Sequence, residues 1–364
     1  MRDPLTPPTP PTLPTGSGPI WVLPRIPGLR RAWPEADGAI AFEAVDASDG
    51  LLRAGRVDHA GAWRLMPYAA DPDLPGLTPG SAADLGGRLV VHRPGRRAVV
   101  VGEHLVRKIV RPGRAGRLFP PRARRVFEST GLRVPGVVGR GADHLDLELV
   151  PGRSLHELGD AGLAGWRRLA RVWPDVVRGA DARAALPEHT GAHEAGVLHR
   201  WLVRTRAAGA LDVLDAVGGR GRIERSIERA CAALDEDRGP AVAAHRDLHD
   251  GQLLWDGCDL FLIDLDTAAT AEAALDLGNL AAHADLARVT GRLGAAAHDR
   301  VLGLLDDVAA HLPTTARRLR TYTDAARLRL ALVHIFRPGA SAWMRDWIGL
   351  ALHRTTTTPG WRPS

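Results

Sequence analysis

Hydrophobic and polar positions divide the chain into a strand-rich first half and a helix-rich second half. Between residues 88 and 110, three short valine-rich segments are separated by turns, which predicts a three-stranded antiparallel meander. Residues 155–240 instead place apolar side chains three and four positions apart, as do residues 276–312 and 315–352. This spacing gives a helix one apolar face, so we expect helices in these three segments.

Further strands and one more helix are predicted between these blocks. Residues 134–139 and 145–150 predict two strands, and residues 113–130 predict one helix, with an interruption at Pro120 and Pro121 left open. Ser154 and Glu157 form a capping-box pattern, so a helix should begin after Ser154. We therefore expect an α+β chain with a small antiparallel β lobe over a larger helical lobe. The expected organisation is a disordered Pro- and Thr-rich tail (1–18), a β-rich extension (19–82), the small lobe (83–150), the helical lobe with the loop described next (151–352) and a frayed tail (353–364).

The loop at residues 245–254 is the main candidate for chemistry. It contains Asp247, and an amide side chain, Gln252, follows five positions later. Asp264 stands seventeen positions after Asp247, at the end of a short apolar strand, and Asp266 follows it. One carboxylate in such a set can orient a substrate hydroxyl, while the amide and the second carboxylate can hold magnesium on ATP. The pattern favours Asp264 as the metal ligand, with Asp266 either a solvated residue or a second ligand.

Lys108 is the one lysine among 48 basic residues. In strand geometry it shares a face with Val106 and Val110. A lone lysine in a strand is ordinarily an exposed edge residue. In a chain that otherwise uses arginine, an ammonium retained on the third strand of a small sheet favours a phosphate-binding role.

Size and composition exclude several classes of protein. At 364 residues the chain is long enough for two lobes, and no apolar run reaches the ~20 residues of a membrane span. The start of the chain has no signal-peptide pattern, and Cys231 and Cys258 form neither a disulfide framework nor a metal-type pair, so we expect a cytoplasmic protein. The net charge of +6 comes from arginines interspersed with acids. We expect no nucleic-acid partner, and an arginine-rich nucleic-acid binder is the weakest alternative.

Together these motifs resemble the aminoglycoside phosphotransferase family, the small-molecule branch of the protein-kinase-like fold. The resemblance covers about residues 85–350. Its specific parts are segments 93–98, 108–112, 147–152, 245–249, 262–266 and 275–277. It implies a bilobal protein-kinase-like fold, with a small antiparallel β N-lobe and a larger helical C-lobe.

The resemblance also implies an activity, namely transfer of a phosphoryl group from ATP to a hydroxyl of a small molecule. Asp247 matches the catalytic Asp, which positions the acceptor hydroxyl. Lys108 matches the lysine that binds the α- and β-phosphates. Backbone groups of Glu148, Leu149 and Val150 match the hinge that meets the adenine.

Two positions depart from the family pattern. Asp264 matches the Mg2+ ligand, but Gln252 stands where the family has Asn, and the extra methylene moves its oxygen by ~1.5 Å. The helix before the second pair of strands offers only Glu128 as a partner for Lys108. These departures motivate an alternative function, a nucleotide-binding pseudokinase with a regulatory or interaction role.

Other residues near Asp247 are expected to support the loop. Asp276 resembles the buried Asp that braces the catalytic loop, and His245 is expected to hold it by a backbone hydrogen bond. His249 and Asp250 either reach substrate or are merely exposed. A zinc site is not expected from histidines on a single irregular loop.

The acceptor is expected to be small. Asp264 and Asp276 lie only twelve positions apart, which leaves no room for the peptide-binding segment of a protein kinase. An aminoglycoside, a sugar or an amino alcohol would fit this expectation. The acids available for a polycationic acceptor are Asp181, Glu188, Glu194, Asp235, Glu236 and Asp237, and their convergence cannot be derived from the sequence.

Overall fold

The structure, a computed structural model, describes residues 18–128, 132–178, 186–236 and 238–353. The predicted tails fall outside these ranges, apart from residues 18 and 353. The first sheet is antiparallel and has four strands in the order β1-β2-β3-β4. They are β1 (Leu29–Pro34), β2 (Ile40–Val45), β3 (Leu52–Val57) and β4 (Trp63–Leu65).

The sheet of the small lobe is antiparallel and has five strands, in the order β5-β6-β7-β9-β8. They are β5 (Arg88–Arg93), β6 (Arg97–Val101), β7 (Leu105–Val110), β8 (Val137–Arg140) and β9 (His144–Glu148). The predicted meander is β5-β6-β7. Because β7 is the central strand, Lys108 lies between Val99 on one neighbouring strand and Leu145 on the other.

The helix predicted over residues 113–130 is shorter than expected. Residues Ala115–Arg117 form a 3-10 turn, and α1 spans Pro121–Glu128. Proline suits the first turn of a helix because it lacks an N–H, and Pro120 disfavours helical backbone in the residue before it. Phe119 has a φ of 47°, which lies outside the right-handed helical region, so no continuous helix runs through it. Residues 129 and 130 lie outside the described parts of the chain.

The larger lobe is mainly helical, as the apolar periodicity predicts. Its helices are α2 (Leu155–Leu158), α3 (Leu163–Arg178), α4 (Gly191–Ala207), α5 (Ala210–Gly218), α6 (Arg222–Asp235), α7 (Ala273–Val289), α8 (Ala295–Ala310), α9 (Ala316–His334) and α10 (Met344–His353). The capping box is present, since Ser154 and Glu157 exchange side-chain to backbone hydrogen bonds. The expected α+β organisation, with a small antiparallel β lobe and a larger helical lobe, is confirmed. None of the described helices is both long and apolar enough to cross a membrane.

Short strands place the 245–254 loop within the helical lobe. These strands are β10 (Arg153–Ser154), β11 (Ala241–Ala244), β12 (Leu253–Trp255), β13 (Leu260–Leu262) and β14 (Ala269–Glu272). Strand β11 pairs with β14, and β12 pairs with β13, both antiparallel. Strand β10 also pairs with β12, so the loop leaves a two-stranded sheet (β11-β14) and enters a three-stranded one (β10-β12-β13).

The four-stranded extension contacts both lobes. The backbone N–H of His92 in the small lobe donates to the buried carboxylate of Glu43 at 2.8 Å. On the other side, the N–H of Ala32 donates to the Phe336 carbonyl at 3.2 Å, and Arg337 donates to the Ala32 carbonyl at 2.6 Å. The extension thus joins the small sheet to the helical lobe through hydrogen bonds at its two faces.

A buried ion pair fixes the start of α7 against α9. The Glu272 carboxylate accepts from Arg318 Nε at 2.8 Å and from the Tyr322 hydroxyl at 3.0 Å. Both Glu272 and Arg318 are buried. The helices approach closely at Gly278, where a Cβ would lie only 2.7 Å from the backbone nitrogen of Thr323.

We expect Glu272→Gln to lower the free energy of unfolding by about 3 kcal/mol, because it leaves the Arg318 guanidinium buried without a counter-charge. Urea-induced unfolding measures this loss. Glu236→Gln is the matched control, since Glu236 pairs with Arg317 on the surface, and it should cost less than about 1 kcal/mol. Equal losses from both variants would contradict this role of the buried pair.

A second contact holds α7 further along. The carboxylate of Asp285 accepts from Arg327 Nε at 2.9 Å and meets His298 Nε2 at 2.9 Å. The hydrogen bond with Asp285 raises the pKa of His298, against the opposing effect of burial. The imidazolium form of His298 therefore stabilises the folded state.

We expect this stabilisation to depend on pH. A histidine whose pKa is raised on folding contributes its full stabilisation below its unfolded pKa of about 6.5. This stabilisation is lost as the pH rises through the pKa of the folded state. The difference in unfolding free energy between the natural protein and His298→Gln should therefore shrink from pH 5.5 to pH 9. Urea unfolding at both pH values checks this, and a constant difference would contradict it.

Candidate active site

Two side chains in the first turns of α7 hold the 245–254 loop through hydrogen bonds to its backbone. The Asp276 carboxylate accepts the backbone N–H of His245 at 2.7 Å and that of Arg246 at 2.8 Å. Asn279, one turn later, donates to the carbonyl of Leu248 at 2.9 Å. Asp276 and Asn279 are both buried. Asp276 therefore braces the loop, in agreement with the resemblance.

His245 uses both ring nitrogens to shape the loop. Its Nε2 lies 2.9 Å from the Ile263 carbonyl, and its Nδ1 accepts the backbone N–H of Asp247 at 3.3 Å. The carbonyl of His245 accepts from the Thr267 hydroxyl at 3.0 Å. The loop also contains a strained residue, Arg246, with a φ of 72°. These contacts give His245 a structural role, because they tie the loop to the residue that follows β13.

The Asp247 carboxylate is available to a substrate. Asp247 is half-buried, and its backbone is fixed by His245. Within the described parts of the chain, no hydrogen bond or ion pair engages its side chain. A fixed backbone with an uncommitted carboxylate is the arrangement needed to accept a proton from a substrate hydroxyl.

Lys108 connects the two lobes at the site. Its Nζ donates to Asp264 Oδ1 at 2.6 Å and to Asp266 Oδ2 at 2.9 Å. The side chain of Lys108 is 12% exposed, and those of Asp264 and Asp266 are 22% and 15% exposed. Strand β7 and the end of β13 are thus joined by an ammonium shared between two carboxylates. Asp266, which the sequence left as either a solvated residue or a second metal ligand, is the second of these carboxylates.

The two carboxylates differ electrostatically. Burial alone would raise the pKa of Asp264, but the nearby Lys108 and Arg97 bring that pKa well below its usual range. Burial and the adjacent Asp264 charge raise the pKa of Asp266 despite Lys108. Asp266 also accepts the backbone N–H of Phe119 at 3.1 Å. Asp264 is therefore the better placed of the two to remain anionic.

The residues around Asp264 fit a magnesium ion. Asp264 has a left-handed backbone with φ 65° and ψ 48°, which turns the chain sharply after β13. The Gln252 side-chain amide nitrogen donates to Asp264 Oδ2 at 3.4 Å. A 180° rotation of the terminal amide would bring its oxygen to the position of this nitrogen, beside the carboxylate. Adjacent oxygen ligands of an octahedral Mg2+ lie about 3 Å apart, so the two side chains are close enough to contribute two ligands in that orientation.

Glu128 does not pair with Lys108. Its carboxylate lies 2.8 Å from Arg124, one turn back in α1. Asp266 instead provides the second carboxylate beside Lys108. The Asp-Leu-Asp sequence at the end of a strand was the signal that could have identified this partner.

The predicted hinge is more restricted than its sequence suggests. The N–H of Glu148 donates to the Gly136 carbonyl at 2.8 Å, and the N–H of Leu149 donates to the His104 carbonyl at 3.1 Å. Both donors are therefore occupied by the sheet. Among the described residues, the N–H of Val150 and the carbonyl of Leu149 have no such partner. These two groups remain available to an adenine edge.

Asp250 is the centre of a histidine cluster. It is 4% exposed, and its Oδ2 lies 3.0 Å from His156 Nδ1. Its Oδ1 lies 3.5 Å from His249 and 3.7 Å from His283, and the rings of these two histidines stack at 4.5 Å. Asp250 is thus a buried structural residue rather than an exposed one. His249 Nδ1 accepts the N–H of Gly251 at 3.0 Å and caps the turn that carries Gln252.

Comparison with solved structures identifies the fold. A thermostable mutant of aminoglycoside phosphotransferase APH(4)-Ia, in a ternary complex with AMP-PNP and hygromycin B, has a TM-score of 0.53 and 13% identity; the match covers 77% of this chain and 100% of that one. A further structure of APH(4)-Ia has a TM-score of 0.50 and 14% identity, with 74% and 94% coverage. No protein-family model and no curated protein matches the chain. The chain therefore has the fold of the aminoglycoside phosphotransferases, as its motifs predict.

Removing one acceptor beneath the loop should impair phosphoryl transfer without impairing nucleotide binding. Asp276 accepts the backbone N–H groups of His245 and Arg246 with its two carboxylate oxygens. In Asp276→Asn, the amide NH2 replaces one of these oxygens, so one of the two N–H groups loses its acceptor. A lost charge-assisted hydrogen bond is worth about 1.5–3 kcal/mol, so we expect kcat to fall by about tenfold to a hundredfold, with little change in the KM for ATP.

Asp256→Asn is the matched control for this variant. Asp256 accepts two backbone N–H groups in an exposed turn, from Cys258 at 2.8 Å and Asp259 at 2.7 Å. The Asp256→Asn variant should leave kcat unchanged. A comparable loss in both variants would show that Asp276 has no specific role in positioning the loop.

Proposed function

We propose that the protein is an ATP-dependent phosphotransferase that moves the γ-phosphoryl group to a hydroxyl of a small molecule. The observation that carries this proposal is the contact of Lys108 with Asp264 and Asp266 across the two lobes. It brings an ammonium and a candidate metal-binding carboxylate together where the Asp247 loop ends. Phosphoryl transfer depends mainly on positioning and charge stabilisation, and this set provides both.

Each predicted residue has a role in this reaction. Lys108 binds phosphate oxygens of ATP, and Asp264 with Gln252 would hold Mg2+, which neutralises charge on the phosphates when bound. Asp247 accepts a hydrogen bond from the acceptor hydroxyl and orients its oxygen towards the γ-phosphorus. The hinge at Glu148, Leu149 and Val150 meets the adenine, chiefly through the free groups of Leu149 and Val150.

The connection after Asp264 supports a small acceptor. A 3-10 turn, Leu265–Thr267, leads directly into β14, and β14 leads into α7. All four residues of β14 are buried, and the strand pairs with β11. This connection is occupied in building the lobe and presents no extended surface for a peptide substrate.

Replacement of Asp247 by Asn tests the catalytic role. We expect Mg-ATP to bind as before, because Asp247 contacts neither Lys108 nor Asp264. We expect kcat for transfer to fall by at least about a hundredfold, which is the lower range of general-base effects. An ATP-dependent phosphorylation assay over a panel of small hydroxyl compounds measures this. Undiminished turnover by the variant would contradict the proposal.

The same panel separates this function from the pseudokinase alternative. Gln252 motivates that alternative, because its side chain is one methylene longer than that of Asn. Its amide nitrogen lies 3.4 Å from Asp264 Oδ2. A pseudokinase would bind Mg-ATP tightly without transfer to any acceptor. The phosphotransferase proposal requires measurable transfer that the Asp247 variant loses.

A further inference from the structure

Asp250 is a buried carboxylate whose close side-chain contacts are all with histidines. It is 4% exposed, and within the described parts of the chain no arginine or lysine nitrogen lies within 4.0 Å of it. Its Oδ2 meets His156, but its buried Oδ1 has no hydrogen-bond partner. Buried carboxylates in proteins are paired with a cation, hydrogen-bonded or bound to a metal ion. Oδ1 therefore needs a partner that the hydrogen bonds of the site do not provide.

Two imidazole nitrogens face this oxygen at distances too long for a hydrogen bond. Nδ1 of His249 lies 3.5 Å from Asp250 Oδ1, and Nδ1 of His283 lies 3.7 Å from it. The His249 nitrogen already accepts the backbone N–H of Gly251 at 3.0 Å. It therefore presents a lone pair and cannot also donate a proton to Oδ1. An acceptor nitrogen and a carboxylate oxygen thus lie side by side with no proton between them.

These separations match those between ligands of one tetrahedral metal ion. Zn2+ binds imidazole nitrogen and carboxylate oxygen at about 2.0–2.2 Å, so two ligand atoms on the same ion lie about 3.4 Å apart. One ligand atom from each of His249, Asp250 and His283 lies within 4.8 Å of the other two. The two rings stack at 4.5 Å, so one ring must turn about its broad χ2 torsion to point its nitrogen at the ion. Coordination by His249 Nδ1 also replaces its hydrogen bond with Gly251, which is only half-buried.

The three side chains come from two elements that the fold already holds together. His249 and Asp250 lie at the end of the catalytic loop, while His283 lies on α7, the helix that braces this loop. His156 of α2 lies 3.0 Å from Asp250 Oδ2 and can orient the carboxylate from outside, as the outer-shell partners of metal ligands do. Zinc was not expected from the sequence because the histidines of the loop lie on one irregular segment. His283 supplies the ligand from a second segment.

We propose that His249, Asp250 and His283 form a binding site for a divalent transition-metal ion of the zinc type. Two imidazoles and one carboxylate are ligands that zinc prefers, with a water molecule in the fourth position. The site is distinct from the magnesium pair of Asp264 and Gln252, because it shares neither side chain. The ion ties the turn that carries Gln252 to α7. This inference does not depend on the proposed function, since zinc can bind here whether or not the protein transfers phosphate.

Zinc titration of the chelator-treated protein against a chromophoric competitor tests the proposal. We expect the natural protein to bind one Zn2+ per chain, because the described residues bring together one such group of three ligands. His156→Ala should weaken zinc binding by about tenfold to a hundredfold, which is the usual effect of losing an outer-shell partner. His283→Asn removes a ligand itself and should weaken zinc binding more than His156→Ala does.

His193→Gln is the matched control. His193 also stacks on a second histidine, His189, at 5.6 Å, and a carboxylate, Glu194, lies 3.0 Å from His189. Gln suits position 193, because this residue completes a capping box with Thr190. The variant should leave zinc affinity unchanged. Asp264→Asn should also leave it unchanged, whereas zinc bound at the magnesium position would be lost in that variant.

X-ray absorption of the zinc-loaded natural protein gives a test that needs no variant, and it decides if His283→Asn does not fold. Two imidazole nitrogens at about 2.0–2.1 Å, together with oxygen ligands, would support the inference. Three results would overturn it: no stoichiometric zinc binding by the natural protein, fewer than two imidazole ligands, or binding that a folded His283→Asn leaves unchanged. Loss of zinc binding in His193→Gln or Asp264→Asn would also overturn it, because the ion would then lie elsewhere.

Discussion

The contact of Lys108 with Asp264 and Asp266 is the interaction on which the arrangement of the site depends. It places a buried positive charge from the centre of the small sheet against two carboxylates from the helical lobe. Separating such a group from its partners leaves buried charges uncompensated, which costs about 3–5 kcal/mol. The two lobes are therefore held at one separation unless another cation takes the place of the lysine. A nucleotide with its metal ion brings both the negative phosphates and the positive charge that would satisfy all three side chains.

Much of the remaining structure delivers these side chains to one place. Strand β7 is central in its sheet, so Lys108 is held by neighbours on both sides. The left-handed turn at Asp264 ends β13 and points two acids at the small lobe. Helix α7 braces the Asp247 loop through Asp276, and α7 is itself anchored by the buried Glu272–Arg318 pair. Glu272 stands four positions before Asp276, so a disturbance of that pair reaches the loop through the first turn of α7.

Much of the local structure could be predicted from the sequence. Apolar periodicity located most helices, and the spacing of Asp247, Gln252 and Asp264 singled out the loop and the end of β13, where the structure brings Lys108, Gln252 and Asp264 together. The helix before Glu128 was predicted too long, because the local effect of Pro120 and Pro121 outweighed the helical pattern. The partner of Lys108 and the free groups of the hinge depend on contacts between distant segments. Periodicity and spacing carry no information about such contacts.

The central claim is that Lys108 and Asp264 form the site for the phosphates of ATP and their magnesium ion. Calorimetric titration of ATP into the natural protein and into Asp264→Asn, each with and without Mg2+, tests it most directly. The account predicts that Mg2+ strengthens ATP binding in the natural protein and that this dependence disappears in the variant. ATP binding that ignores Mg2+ in the natural protein, or that remains equally Mg2+-dependent in Asp264→Asn, would contradict it.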